Sequence, residues 1–250
     1  MYGQSDAFGV FSESFRDMTG RYHILENHVS IEQQMEYFRI SETVRRSQTK
    51  LEKDEYDKFE EQLKSLNLSK FRKKKILSRL AVSSDVRAFR LLEDYVKHPD
   101  EGLDAWAQMA LMESRIALET DLTGERHVYI STGLGGKEGK LRFYVLLLTA
   151  YDNKLEDYQC KIVENEFNYA ASKCDCEIEK ITFSDKYIEV IILNPVNENI
   201  TLFLEKVVNE CNIYGDFLSQ MVTVTNVKAL NKTEINQTLK ENQLIQAFIS

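Results

Sequence analysis

An α+β protein is the fold class this sequence predicts: an N-terminal α-helical hairpin stack, then a ferredoxin-like (βαββαβ) antiparallel sheet with an extra N-terminal edge strand. Three observations carry that expectation. Apolar residues keep helical spacing from Val29 to Leu118. From Leu141 onward, strand-like and helix-like runs succeed one another in the order β-α-β-β-α-β. Between them, Gly133-Leu-Gly-Gly-Lys-Glu-Gly-Lys140 joins two β-type runs through a glycine-rich hairpin. The implied organisation is an N-terminal arm over 1–28, a helical domain over 29–124 and the ferredoxin-like α/β domain over 125–250.

The arm places Phe8, Phe11, Phe15 and Met18 at helical spacing on a polar segment, so these aromatics are expected to dock on the fold or on a partner. In the helical domain, Ser30 is positioned to cap a helix whose apolar face carries Ile31, Met35 and Phe38. Tyr56, Phe59, Leu63 and Leu66 mark a second helix, and Phe71, Ile76, Leu77 and Leu80 a third that opens after Ser69. A fourth is expected to be capped by Ser83 or Ser84, with Val86, Phe89, Leu92 and Tyr95 inward. Pro99, with acids behind it, suits the first turn of a fifth, which carries Leu103, Trp106, Ala110 and Leu118 and ends at Gly124.

Beyond the hairpin, strands are expected near 127–132 and 141–151, a helix over 153–173, and a half-buried strand beginning at Cys174 and Cys176. The run Tyr187 to Leu193 follows as a strand, Asn197 or Asn199 caps the next helix, Phe217 to Lys228 makes the last strand, and Thr233 opens a final helix.

Composition bounds the function classes. Hydrophobic content of 43% with 29% charged residues is that of a globular chain. A net charge of -8 disfavours a protein that coats nucleic acid with its whole surface. No apolar run reaches the roughly 18 residues of a membrane span and the N-terminus lacks a signal-peptide pattern, so the expected location is the cytoplasm. Four cysteines then suit core packing in a reducing compartment.

Two cationic surfaces are the candidate binding sites. One is the basic helix 70–79, with Lys73, Lys74, Lys75 and Arg79. The other is the hairpin 133–142, with Gly133, Gly135, Gly136, Lys137, Lys140 and Arg142. The hairpin resembles a phosphate-binding P-loop only in composition. Its glycine spacing is one too long, Leu141 stands where a hydroxyl belongs, and a strand follows where the motif needs a helix. Cys174-x-Cys176 lacks the further ligands of a zinc site, and His23, His28, His98 and His127 are scattered along the chain. Glu156, Asp157, Glu164 and Glu166 read as a solvated helix face. No catalytic residue, metal ligand or cofactor is therefore expected. The reading that follows is a non-enzymatic intracellular scaffold with a protein partner, contacted in part through Phe8, Phe11 and Phe15. An RNA- or ribosome-associated factor using both cationic surfaces is the alternative, and a phosphate-ligand-binding enzyme or sensor a second.

Overall fold

The computed structural model describes residues 10, 12–13, 22–47, 51–150 and 153–249. It is a mixed α+β protein, with eight helices among the described residues. The chain divides into a helical unit over Gly20–Gly135 and a second unit, Gly136–Ser250, built on a sheet. No helix among the described residues is long and apolar enough to cross a membrane.

The helical unit opens with β1 (Tyr22–Ile24), runs through α1 (Ile31–Arg46), α2 (Lys53–Lys64), α3 (Lys70–Ala81), α4 (Val86–Lys97) and α5 (Asp104–Thr123), and closes with β2 (Val128–Ile130). Its core joins Tyr37, Phe59, Leu77, Leu80, Leu92 and Trp106. Ser30 does cap α1, in a reciprocal pair with Gln33. The face turned inward is another matter. Met35 is 67% exposed, and the buried residues of α1 are Gln34, Tyr37 and Ser41. Hydrogen bonds explain the rotation. Gln34 donates to Val29 O at 2.9 Å and accepts from Ser131 Oγ at 2.7 Å, while Tyr37 and Ser41 both donate to Glu113 of α5. Asp85, and neither Ser83 nor Ser84, caps α4 by accepting from Arg87 N. Pro99 and Asp100 lie in a turn before α5, where Leu103 is the cap; Gly124, at φ 69°, ends α5 in the left-handed conformation that suits glycine.

The second unit holds β3 (Gly136–Lys137), β4 (Lys140–Thr149), α6 (Asp157–Ala171), β5 (Glu177–Phe183), β6 (Tyr187–Pro195), α7 (Ile200–Asn212), β7 (Leu218–Thr225) and α8 (Lys232–Ile249). β6 pairs antiparallel with β4 along one edge and with β5 beyond it. On the other edge of β4, β3 pairs at Leu141 and β7 from Tyr144 to Thr149, both antiparallel. From Phe143 to Thr149 every residue of β4 is buried, as befits the central strand. The β3–β4 hairpin turns on Glu138 and Gly139, both at positive φ, which is the two-residue geometry matched to strand twist.

Two expectations are corrected here. The strand over 127–132 does not extend this sheet: β2 pairs in parallel with β1, three residues on three, inside the helical unit. Cys174 and Cys176 do not begin a strand either, because they occupy the turn between α6 and β5.

Candidate metal centre

Two three-residue strands and the end of one helix build the site. In the parallel pair, His23 stands opposite Tyr129, and the period of two places His127 on the same face as Tyr129. The left-handed turn at Gly124 folds the chain back so that His127 returns beside the last turns of α5, where its N–H donates to Thr120 Oγ1 at 3.2 Å. Glu119 of α5 meets both imidazoles. Its Oε2 lies 2.5 Å from His23 Nε2 and 3.4 Å from His127 Nδ1, and the rings stack with centroids 5.9 Å apart. The three side chains can offer ligand atoms that all lie within 4.8 Å of one another.

Proton accounting gives this cluster its chemistry. Thr123 Oγ1 donates its hydrogen to Glu119 O at 2.7 Å, so toward Glu125 N and His127 Nε2, each at 3.2 Å, it acts as acceptor. A donor at His127 Nε2 suits that acceptor, and the tautomer that supplies it turns an Nδ1 lone pair toward the Glu119 carboxylate. His23 Nε2 and His127 Nδ1 are both closed to solvent, and neither makes an aligned hydrogen bond despite the nearby oxygen. Two imidazole nitrogens that converge on one carboxylate oxygen without an aligned hydrogen bond leave a position suited to a cation, either a proton on an imidazole or a metal ion. The pocket is partly open: side-chain exposure is 25% at His23, 34% at Glu119 and 9% at His127. Thr123 plays the outer part expected around such ligands, holding one imidazole in a fixed tautomer.

Fewer than two turns earlier on α5, a second carboxylate is closed. Glu113 accepts from Tyr37 Oη at 2.5 Å, from Ser41 Oγ at 2.8 Å and from the Arg45 guanidinium. Burial, reinforced by Glu113, holds the Tyr37 hydroxyl well above its ordinary pKa, and Tyr129 is raised in the same way.

The residues singled out from sequence are dispersed differently. Lys73 is only 3% exposed; its ammonium donates to Leu63 O at 2.8 Å and pairs with Asp100 at 2.6 Å. Lys74 pairs with Glu36 at 2.8 Å over the Trp106 ring, Arg79 pairs with Glu55 at 3.0 Å over Phe59, and Lys75 lies over Phe71. In the hairpin, Gly133, Gly135 and Gly136 are buried. A Cβ on Gly135 would meet Glu26 O at 2.3 Å, so this glycine serves close backbone packing. Lys137, Lys140 and Arg142 pair with Glu177, Asp175 and Glu179 respectively. Phe8, Phe11, Phe15 and Met18 fall outside the described residues. The structure thus brings together two histidines that look unrelated in the sequence, together with Glu119, which no motif marks. The repeated pattern of short β-type runs, Tyr22-His-Ile24 and Val128-Tyr-Ile130, was the available signal.

No family model and no curated protein matches this chain. Solved structures of similar fold include a candidate transposase from Deinococcus radiodurans R1, at 15% identity and TM-score 0.38, covering 43% of this chain and 94% of that one. They also include a REP-associated tyrosine transposase bound to a REP hairpin, at 10% identity and TM-score 0.31, covering 40% of this chain and 62% of that one. Both are described as transposases, and against this finding the expectation of a non-enzymatic scaffold, with its RNA-associated alternative, is corrected and set aside. At these TM-scores the likeness carries no argument for a particular reaction in this chain.

Proposed function

We propose that the helical unit holds a divalent transition-metal ion between His23 Nε2, Glu119 Oε2 and His127 Nδ1. One observation carries the reading: two histidine nitrogens, buried and without an aligned hydrogen bond, converge on one carboxylate oxygen, and the protonation of one ring is fixed from behind by Thr123. Imidazole with carboxylate favours zinc and its first-row neighbours over calcium or magnesium, which prefer all-oxygen sets. Three protein ligands are the number found at catalytic zinc sites, since structural zinc is held by four. Bound there, such an ion would supply Lewis-acid chemistry. The chain's own residues then have separate tasks: Glu119 supplies the negative charge, His127 a lone pair of fixed direction, and His23 the second nitrogen.

Two finer statements join this proposal. The second unit is read as ferredoxin-like, supported by its βαββαβ order and by the strand sequence β7-β4-β6-β5. A cytoplasmic location is supported by four cysteines in the free form.

Equilibrium dialysis of the full chain against Zn(II) or Co(II) tests the metal reading. One ion per chain, with a Co(II) visible spectrum of nitrogen ligation, is expected for the wild type and lost in His23→Ala/His127→Ala. Equal binding by the double variant, or none by the wild type, ends the proposal.

A further inference from the structure

A second site, in the sheet unit and independent of the metal reading, lies in the turn that follows α6. Cys174 N and Cys176 N both donate to Ala171 O, so the chain tightens at the helix end. Asp175 then adopts the left-handed conformation at φ 54°, which few non-glycine residues occupy and which Asp tolerates better than most. The turn doubles the backbone between the two cysteines. Their sulfurs stand 2.9 Å apart as free thiols, within about 1 Å of the disulfide bond length.

The two thiols differ in access and in partners. Cys174 lines an open cleft of about 520 Å³ together with Leu202, Phe203, Lys173, Lys206 and Glu198. Cys176 faces inward, where its S–H donates to Asn194 Oδ1 at 3.3 Å. Asn194 is nearly fully buried, and its Nδ2 donates to Pro195 O and Glu198 O, each at 2.8 Å, holding the turn that leads into the Asn199 cap of α7. The thiol pair is therefore coupled through one amide to the rim of the cleft.

We propose that Cys174 and Cys176 form a reversible thiol–disulfide exchange site for a small disulfide bearing carboxylates. The cleft has the size of a small-molecule site, its two lysines favour an anion, and its apolar lining residues favour the carbon skeleton of a short peptide. In the first step the Cys174 thiolate attacks one sulfur of the incoming disulfide, forming the mixed disulfide and expelling one thiolate. Cys176 then gives up its proton to water, attacks Cys174 Sγ and expels the second thiolate. Two protein thiols are oxidised to one disulfide, the small disulfide is reduced to two thiols, and the two protons released from the cysteines balance them.

The order of attack follows from the surroundings. Burial and the adjacent Cys174 thiol push the Cys176 thiol well above its ordinary range, so it acts second, once Cys174 has become neutral in the mixed disulfide. Cys174 Sγ lies against the terminal carbonyls of α6, 3.4 Å from Ala170 O, and the attacking species in thiol exchange is the thiolate. Exchange is accordingly expected to accelerate as pH rises. Once the disulfide forms, Asn194 Oδ1 loses its S–H donor and the 195–198 turn loses part of its support.

The experiment uses the full chain in buffers of reduced and oxidised glutathione, quenched with a maleimide and mapped by mass spectrometry. The expected result is a Cys174–Cys176 disulfide while Cys160 and Cys211 remain thiols. Cys176→Ser is expected to stop at a mixed disulfide on Cys174, and Lys173→Glu/Lys206→Glu to slow the glutathione reaction several-fold while leaving exchange with a neutral disulfide unchanged. The proposal is overturned if both cysteines stay reduced when Cys160 has been oxidised, or if glutathione attaches at Cys160 as fast as at Cys174. The wild-type map decides the point even if a variant fails to fold.

Discussion

Two glutamates on α5, Glu113 and Glu119, are alike in chemistry and opposite in circumstance. Glu113 is buried and every group facing it is a donor: the Tyr37 hydroxyl, the Ser41 hydroxyl and the Arg45 guanidinium. Glu119 is partly open and faces two imidazole nitrogens, one of which has its lone pair assigned by Thr123. A carboxylate enclosed by donors is finished, and its role is to hold three elements in register. A carboxylate set against two imidazole nitrogens with no aligned hydrogen bond between them has room for a cation, whether a proton or an ion. The alignment of the facing partners, more than the depth of burial, separates the closed glutamate from the proposed ligand.

The sharpest way to break this comparison is to remove each carboxylate in turn. Glu113→Ala leaves the buried Tyr37 and Ser41 hydroxyls without their acceptor, a loss of about 1–3 kcal/mol for each, while the Arg45 guanidinium, 56% exposed, can turn to water. Glu119→Gln keeps the shape of its site, and because no aligned hydrogen bond to the histidines is lost, the metal-free protein should change by less than about 1 kcal/mol. Urea denaturation of both variants without metal reads the difference directly. Equal losses would mean that the two sites are both structural.

Metal addition gives the next largest effect, and with the opposite preference. At a free Zn(II) concentration about 100 times its Kd, the folded chain gains about 2.7 kcal/mol, a rise in Tm of roughly 5–10 °C. The gain should survive in Glu113→Gln, which leaves His23, Glu119 and His127 intact, and vanish in His23→Ala. Thermal melts with and without a chelator are the measurement. Since protons compete for the same nitrogens, the gain should also fall in acid.

Thr123→Val sharpens the point further by replacing none of the proposed ligands. It removes the acceptor that holds the proton on His127 Nε2 and frees the ring to place its proton on Nδ1. Metal affinity should fall by about 10–100-fold, with metal-free stability less affected. Unchanged affinity would show that the tautomer is set by something else.

Much of this architecture was legible in the chain and the decisive site was not, for reasons that concern particular residues. Ser30, Gly124 and Asn199 mark helix ends because capping is local chemistry, read within a few residues. The inward face of α1 was misread, since Met35 and Phe38 outrank Gln34 and Ser41 on any apolar count; what turns the helix is the set of donors that Glu113 requires, supplied from another part of the sequence. His23 and His127 meet only through a parallel pairing of two three-residue strands, too short to announce themselves by alternation and separated by five helices. The basic run of α3 had the reverse fate. Its cations look like a surface in the sequence, yet Lys73, Lys74 and Arg79 each meet an acid within the helical unit. Periodicity reports which residues are apolar, and says little about which polar groups satisfy one another.

Glu179 of the sheet unit supplies the mildest test of the same rule. It is closed by one partner, accepting from Arg142 Nε at 2.5 Å and from Nη2 at 2.8 Å, and it is about a quarter exposed. The Arg142 hydrogen bonds hold its carboxyl below the ordinary glutamate range, against a smaller opposing effect of burial. A folded-state pKa below the unfolded value gives stability that is present above the unfolded value, about 4.3, and lost as pH falls through the folded one. Solvent screening limits the contribution to about 1 kcal/mol or less. Arg142→Met should therefore lower the urea midpoint slightly at neutral pH and converge with the wild type in strong acid, where Glu179 is protonated in both. A difference of the same size at both pH values would assign the loss to packing of the arginine stem, and would show that closure by donors matters little where water can still reach the carboxylate.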